Sequence, residues 1–198
     1  DDRMRALLAP MEVNTGPAAE ACDPIQVAAA TSMATVLGTD PPIVVIPGAR
    51  WNTKRWDIDR YIAVVRQLRH ARQPVVLIGS PDEKPLCDQI VGAVPDVLNL
   101  AGQTNLAEMV AVLARAKLVL GNDSGPLHVA VALNRPIVAI YGPTDPEFVG
   151  PYGQLDHVLR HDVPCHPCRR RECDHHSCRQ CVTVEMVWDK TRQVSRLR

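Results

Sequence analysis

The residues best suited to chemistry in this 198-residue chain sit in short loops that follow apolar runs. The most informative loop is Gly121-Asn122-Asp123-Ser124-Gly125-Pro126-Leu127-His128. Pro126 suits the first position of a helix, with Ser124 or Gly125 as its cap. Such a helix presents free N–H groups and the positive end of its dipole, a ready place for a phosphate. Gly125 lets an anion approach the backbone closely. Asp123 would repel a phosphate, so it reads as an acceptor for sugar hydroxyls or backbone N–H groups. His128, one turn in, could face the phosphate. The plain alternative is that Asp123 and Ser124 only cap the helix, Gly125 makes the turn, and His128 packs or is solvated.

Two further loops carry charge. In Pro47–Trp56 the last seven residues hold Arg50, Lys54 and Arg55 with Trp51 and Trp56. Lys54 could neutralise a pyrophosphate; otherwise the loop is a basic surface anchored by two indoles. In Gly79-Ser80-Pro81-Asp82-Glu83, acids in a first helical turn suit the dipole. The sharper reading gives Glu83 a ribose diol. No Gly-x-Gly-x-x-Gly or Gly-Lys-Ser/Thr phosphate loop is present. A separate cluster places five of the seven cysteines between Cys165 and Cys181, with His166, His175 and His176 interleaved. Its two Cys-x-x-Cys pairs, nine residues apart, have the spacing of a zinc knuckle. Disulfides and free thiols are the alternatives.

These loops need elements to hold them. Continuous apolar runs at Ile43–Ile46, Val75–Ile78, Val97–Leu100, Leu118–Leu120 and Ile137–Tyr141 predict buried strands. Helical spacing falls between them at 57–70, 81–91, 105–116 and 126–133, with Thr104 or Asn105 capping the third. Alternation of this kind predicts an α/β fold, a Rossmann-like doubly wound parallel sheet with ligands at the strands' carboxyl ends. Gly142-Pro143-Thr144-Asp145-Pro146 adds another turn to that rim. Residues 1–42 read as a lead-in with helical stretches at 4–11 and 24–37, and a last helix capped by Thr183 spans 184–197.

The stretches IVVIPGARWNTKRW, VVLIGSPDE, LVLGNDSGPLHVAVALNRPIVAIYGPTDP and VGPYG together resemble the carboxyl-terminal domain of glycosyltransferase family nine, the lipopolysaccharide heptosyltransferases. The resemblance covers about residues 43–190. It implies the carboxyl-terminal half of a GT-B glycosyltransferase, in which two Rossmann-like domains face each other across a cleft. Residues 1–42 would then be the lead-in from an amino-terminal domain, 43–160 the nucleotide-sugar-binding domain, and 161–198 a cysteine-rich loop and closing helix. The implied reaction transfers a heptose from ADP-heptose to the lipopolysaccharide inner core, at the cytoplasmic side and with no catalytic cofactor. Lys54 would contact the donor phosphates, Glu83 the ribose and Asp123 the transferred sugar. Ser124 and Gly125 would offer N–H groups to the pyrophosphate, with His128 nearby. The family's general base lies in the amino-terminal domain, so no catalytic base is named here. The resemblance also makes Cys165, Cys168, Cys173 and Cys178 the nearest equivalents of a structural zinc set, with Cys181 additional.

Composition narrows the alternatives. Twenty-two Lys and Arg balance 22 Asp and Glu, which argues against a dedicated nucleic-acid binder. Residues 165–198 nevertheless hold eight basic against four acidic residues, including Arg169, Arg170 and Arg171 in one run. That run is either a solvated face or a contact with an anionic partner or a membrane surface. No apolar run approaches the roughly 20 residues of a membrane span. No secretory signal is legible, and an opening of Asp1-Asp2-Arg3 without methionine points to a fragment, a processed product or a trimmed chain. Two other readings compete with a heptosyltransferase donor half. One is a GT-B enzyme with a different nucleotide sugar; the other is a nucleotide-sugar-binding module without turnover. The closing helix, lacking a facing domain, is expected to expose its apolar side or to pack on another copy.

Overall fold

The computed structural model describes Met33 and residues 35–197. Six parallel strands form one sheet: β1 (Ile43–Ile46), β2 (Val75–Leu77), β3 (Leu98–Asn99), β4 (Leu118–Asn122), β5 (Ile137–Ile140) and β6 (Val158–Leu159). Their order across the sheet is β3-β2-β1-β4-β5-β6. β1 therefore pairs with β2 on one side and β4 on the other, with Ile43 opposite Leu118 and Ile46 opposite Gly121. The chain winds outward in both directions from that pair. The crevice beyond the carboxyl ends of β1 and β4 is where such a sheet receives a ligand.

The strands alternate between two cores, as their two-residue period requires. Ile43, Val45, Leu118, Leu120, Val138 and Ile140 face one side. There they meet Tyr61, Val64 and Leu68 of helix α1 (Ile58–His70) and Cys87 and Ile90 of α2 (Lys84–Ala93). Val44, Ile46, Val119, Ile137 and Ala139 face the other side. Val112 and Leu113 of α3 (Leu106–Ala114) and Leu127 and Ala130 of α4 (Gly125–Ala132) cover them. Asn105 caps α3 by accepting from Glu108 N–H, while Glu108 accepts in return from Asn105 N–H, a reciprocal capping box.

Several elements differ from the sequence reading. The stretch expected as one helix from Pro81 breaks into a 3-10 turn, Pro81–Glu83, followed by α2. The third strand shortens to two residues, and β6 had no signal beyond two half-buried apolar residues. The expected helix at 4–11 lies outside the described residues, and so does most of that at 24–37. Helix is present at Met33 and 35–37, with Met33 and Leu37 buried in the second core.

The last helix corrects an expectation. After two short helices, α5 (Pro146–Val149) and α6 (Ser177–Gln180), α7 spans Val184–Ser195 behind its Thr183 cap. Its apolar side is neither open nor waiting for a second copy. Val187 is fully buried in the first core, where Val184, Trp188 and Val194 pack around it. The sheet's outer half, β4 and β5, needs a cover on that side, and α7 supplies it.

Candidate functional site

The loops after β1, β2, β4 and β5 meet around one cleft of about 1110 Å³ at the strands' carboxyl ends. All six side chains or backbone positions singled out from the sequence line it: Lys54, Glu83, Asp123, Ser124, Gly125 and His128. Three loops deliver the central cluster. Lys54, from a 3-10 turn at Asn52–Lys54, ion-pairs with Asp123 Oδ2 at 2.6 Å. Thr144 Oγ1, from the loop after β5, donates to the same oxygen at 2.6 Å. His128 Nε2 donates to Asp123 Oδ1 at 3.2 Å. Asp123 is only 5% exposed. Burial alone would raise its pKa. Hydrogen bonds from His128, Lys54 and Thr144, with the Lys54 charge, outweigh burial and hold the carboxyl below its ordinary value.

Helix α4 opens onto the cleft beside this cluster. Ser124 is its N-cap, yet its side chain makes no capping bond. The Ser124 hydroxyl is buried with no hydrogen-bond partner in the protein. Gly125 is exposed, and a Cβ built there would meet nothing within 4 Å. The first N–H groups of α4 are therefore unobstructed. Such a terminus, next to a hydroxyl in want of a partner, suits an anionic oxygen.

Glu83 does two things. Its Oε2 accepts from Ser80 N–H at 2.9 Å, the bland capping role. Its carboxylate also lies against Gly48, so closely that a Cβ there would overlap Glu83 Cδ and Oε1. Around it, Pro81, Leu106 and Met109 give the cleft a more apolar end.

Some residues were missed. Asn122, fully buried at the end of β4, accepts from Trp56 N–H at 3.0 Å. It donates to the carbonyls of Pro47 and Gly48 at 2.9 and 3.2 Å, and so pins both ends of the Lys54 loop. Its signal was its place before Asp123, but nothing in the sequence showed what it would bond. Thr144 was visible only as part of a turn-rich loop on the correct rim. Trp56, 2% exposed, donates to the Val182 carbonyl and meets Tyr61 edge-on at 5.1 Å, whereas Trp51 faces the cleft.

The cysteine-rich segment reaches the site as well. Thr53 Oγ1 donates to the Arg170 carbonyl, Arg169 N–H to the Pro143 carbonyl, and Arg179 Nη1 to both Arg55 O and Asp57 Oδ1 at 2.6 Å. The six described cysteines are all unpaired, so no disulfide forms among the described residues. Burial raises the Cys178 pKa, a backbone bond from Arg179 lowers it, and Cys168, Cys173 and Cys165 raise it further by proximity. Among the described residues, no three His, Cys, Asp or Glu side chains converge on a common metal position. No helix among the described residues is long and apolar enough to cross a membrane.

Comparison with known proteins places the family and the fold. Residues 3–178 match glycosyltransferase family 9 (heptosyltransferase). Lipooligosaccharide heptosyltransferase 2 of Haemophilus influenzae is 38% identical over 131 residues, covering 63% of this chain and 38% of that protein. Lipopolysaccharide heptosyltransferase 2 of Escherichia coli K12 is 38% identical over 136 residues, covering 66% and 39%. The solved E. coli ADP-heptose lps heptosyltransferase II superposes with a TM-score of 0.73 at 28% identity, over 89% of this chain and 52% of that one. An E. coli heptosyltransferase solved with ADP superposes at 0.55 and 28% identity, over 66% and 41%. The chain thus spans about half the length of its solved relatives and less of the curated ones. With a family match across most of its length, the chain belongs to glycosyltransferase family 9, the heptosyltransferases.

Proposed function

We propose that this chain is the donor-binding part of a heptosyltransferase and that its cleft takes ADP-heptose. The observation that carries the reading is the Lys54–Asp123–His128–Thr144 cluster beside the open N-terminus of α4, at the point where the strand order reverses. The diphosphate sits on the α4 N–H groups at Ser124 and Gly125, with the Ser124 hydroxyl as a further donor. Glu83 and the apolar end of the cleft receive the ribose and base. Asp123, kept ionised by its three donors, accepts from hydroxyls of the sugar, and Lys54 lies between sugar and phosphate. In the transfer, the bond from the sugar's anomeric carbon to the diphosphate oxygen breaks and ADP leaves with that electron pair. The dipole of α4 and the neighbouring cations stabilise the charge that develops on the departing diphosphate. An acceptor hydroxyl forms the new bond and gives up its proton.

The acceptor on this reading is the lipopolysaccharide inner core, presented by a facing amino-terminal domain that also brings the base. Residues 43–160 form the nucleotide-sugar-binding domain, residues 161–198 its cysteine-rich loop and closing helix, and residues 1–42 the lead-in. The work is done in the cytoplasm, at the inner face of the inner membrane. The names of the curated relatives and the ADP in a solved relative support this assignment. Calorimetric titration with ADP, UDP and GDP tests it. ADP binds best, and Lys54→Ala and Asp123→Ala weaken ADP-heptose binding; a preference for UDP removes the heptose assignment.

The cysteine spacing, rather than the side-chain positions, supports a structural zinc on Cys165, Cys168, Cys173 and Cys178, an all-sulfur set of the kind zinc takes; these side chains would have to close on the ion. Metal analysis of freshly reduced protein then finds about one zinc per chain, the stoichiometry of one such four-thiolate site. Metal-free protein of unchanged stability sinks that assignment.

A further inference from the structure

The cysteine-rich segment brings two guanidinium groups to the cleft that the donor-binding reading has not used. Arg169 and Arg171 both line it. Arg171 lies 5.1 Å from the centre of the Trp51 ring, against which Lys54 also rests at 4.6 Å. Arg169 lies 5.7 Å from the Phe148 ring on α5. One arginine thus leans on the loop after β1 and the other on the chain after β5. The Lys54–Asp123–Thr144 cluster joins those same two loops. Neither guanidinium has a carboxylate partner among the described residues, whereas Arg160 and Arg179 both do.

The backbone holds this arrangement in place. Arg169 occupies the left-handed region at φ 52°, where a non-glycine residue is uncommon, and its N–H is bonded to Pro143 O at 2.9 Å. The next carbonyl, Arg170 O, is taken by buried Thr53, one residue before Lys54. Between these anchors the side chains of Arg169 and Arg171 fall on the cleft, and that of Arg170 does not line it.

Charge makes the consequence specific. Lys54 is spent on Asp123 at 2.6 Å, so this pair offers a diphosphate little net charge. Elsewhere on the lining Asp82 and Glu83 add negative charge and Arg50 and Arg55 positive, with Arg55 Nε held by the Ala49 carbonyl. We propose that Arg169 and Arg171 are binding residues for the diphosphate of the donor. They hold it from the cysteine-rich segment, which they make a wall of the site. Guanidinium groups match phosphate oxygens in a way a single ammonium does not. This inference rests on the donor-binding reading.

Titration of the whole chain with ADP, adenosine and inorganic pyrophosphate tests it. Arg169→Gln and Arg171→Gln each raise the Kd for ADP about three- to tenfold, the range for a partly exposed charge-assisted bond. The double variant raises it further, and adenosine binding does not change. Arg170→Gln, with the same loss of charge off the cleft, binds ADP like the parent. Both arginines are exposed, so thermal melting curves stay at the parent value, and lysine at both positions restores part of the affinity. If the double variant binds ADP as the parent does, or if Arg170→Gln weakens it equally, the arginine assignment is wrong and the donor reading stands. If the parent ignores ADP but binds pyrophosphate, and the double variant loses it, the arginine assignment stands and the nucleotide reading falls. A parent that binds neither ends both.

Discussion

Asp123 is the residue on which the site turns, because donors from two other loops and from helix α4 converge on a carboxylate that is nearly buried. A carboxyl whose pKa is lower in the fold than in the unfolded chain adds stability above its unfolded value. That stability is lost as pH falls through the folded value. Wild type is therefore more stable than Asp123→Asn near neutrality, and the difference narrows once pH drops below 3.8, as paired urea melts across pH will show. Gly125 offers a cleaner separation of fold from function. A Cβ there meets nothing in the protein, so Gly125→Ala keeps or slightly raises the melting temperature. The same methyl stands in front of the α4 N–H groups, so ADP affinity falls. Equal affinity in parent and variant would remove the anion from that terminus. Gly48→Ala acts on the other end of the cleft by displacing the Glu83 carboxylate from its place against Gly48.

At the scale of elements, the Lys54 loop is placed by side-chain bonds from its neighbours. Asn122 binds the loop at Pro47, Gly48 and Trp56, all from a fully buried position at the end of β4. Truncation leaves a buried N–H and two carbonyls without partners, at a cost of about 1–3 kcal/mol for each group that water cannot reach. Asn122→Ala should lower stability on that scale in chemical denaturation. It should also weaken ADP binding, although Asn122 itself does not line the cleft. Loss of stability with ADP affinity intact would show that the loop holds its shape without the pin. Arg179 works similarly from the far side, tying the cysteine-rich segment to Arg55 and Asp57.

For the whole molecule, the closing helix matters most. Residues 184–195 sit at the end of the chain, yet Val187 and Thr191 are fully buried and cover β4 and β5, the strands that carry Asn122 and lead to Thr144. Val187→Asp would bury a charge with no partner in an apolar core. Cooperative thermal unfolding should be lost or shifted far down, with ADP binding lost alongside it. A folded, ADP-binding Val187→Asp protein would show that α7 is an appendage after all. The sheet's edge-to-centre order also explains why one cleft collects loops from positions as distant as 48 and 171. The outward winding from β1 and β4 leaves every carboxyl end on one rim, and the cysteine-rich segment crosses that rim on its way to α7.

The doubly wound parallel sheet was legible because its strands are unbroken apolar runs that helices must cover on both faces. The loop at 121–128 was legible because Gly, Pro and short polar residues state local backbone geometry directly. Resemblance to a known family then supplied roles for Lys54, Glu83 and Asp123 that spacing alone left open. What local pattern could not express was pairing at a distance. That Lys54 is bound to Asp123, that Thr144 shares the same oxygen, and that Asn122 pins a loop 66 to 75 residues earlier depend on how β1, β4 and β5 lie side by side. Arg169–Arg171 reads from the sequence as either a solvated face or a contact with an anionic partner or a membrane surface, because whether a charge faces solvent or a cleft is a property of the wall it stands on. The closing helix could be recognised from its cap and period, but the face it would cover belonged to strands it meets only in three dimensions.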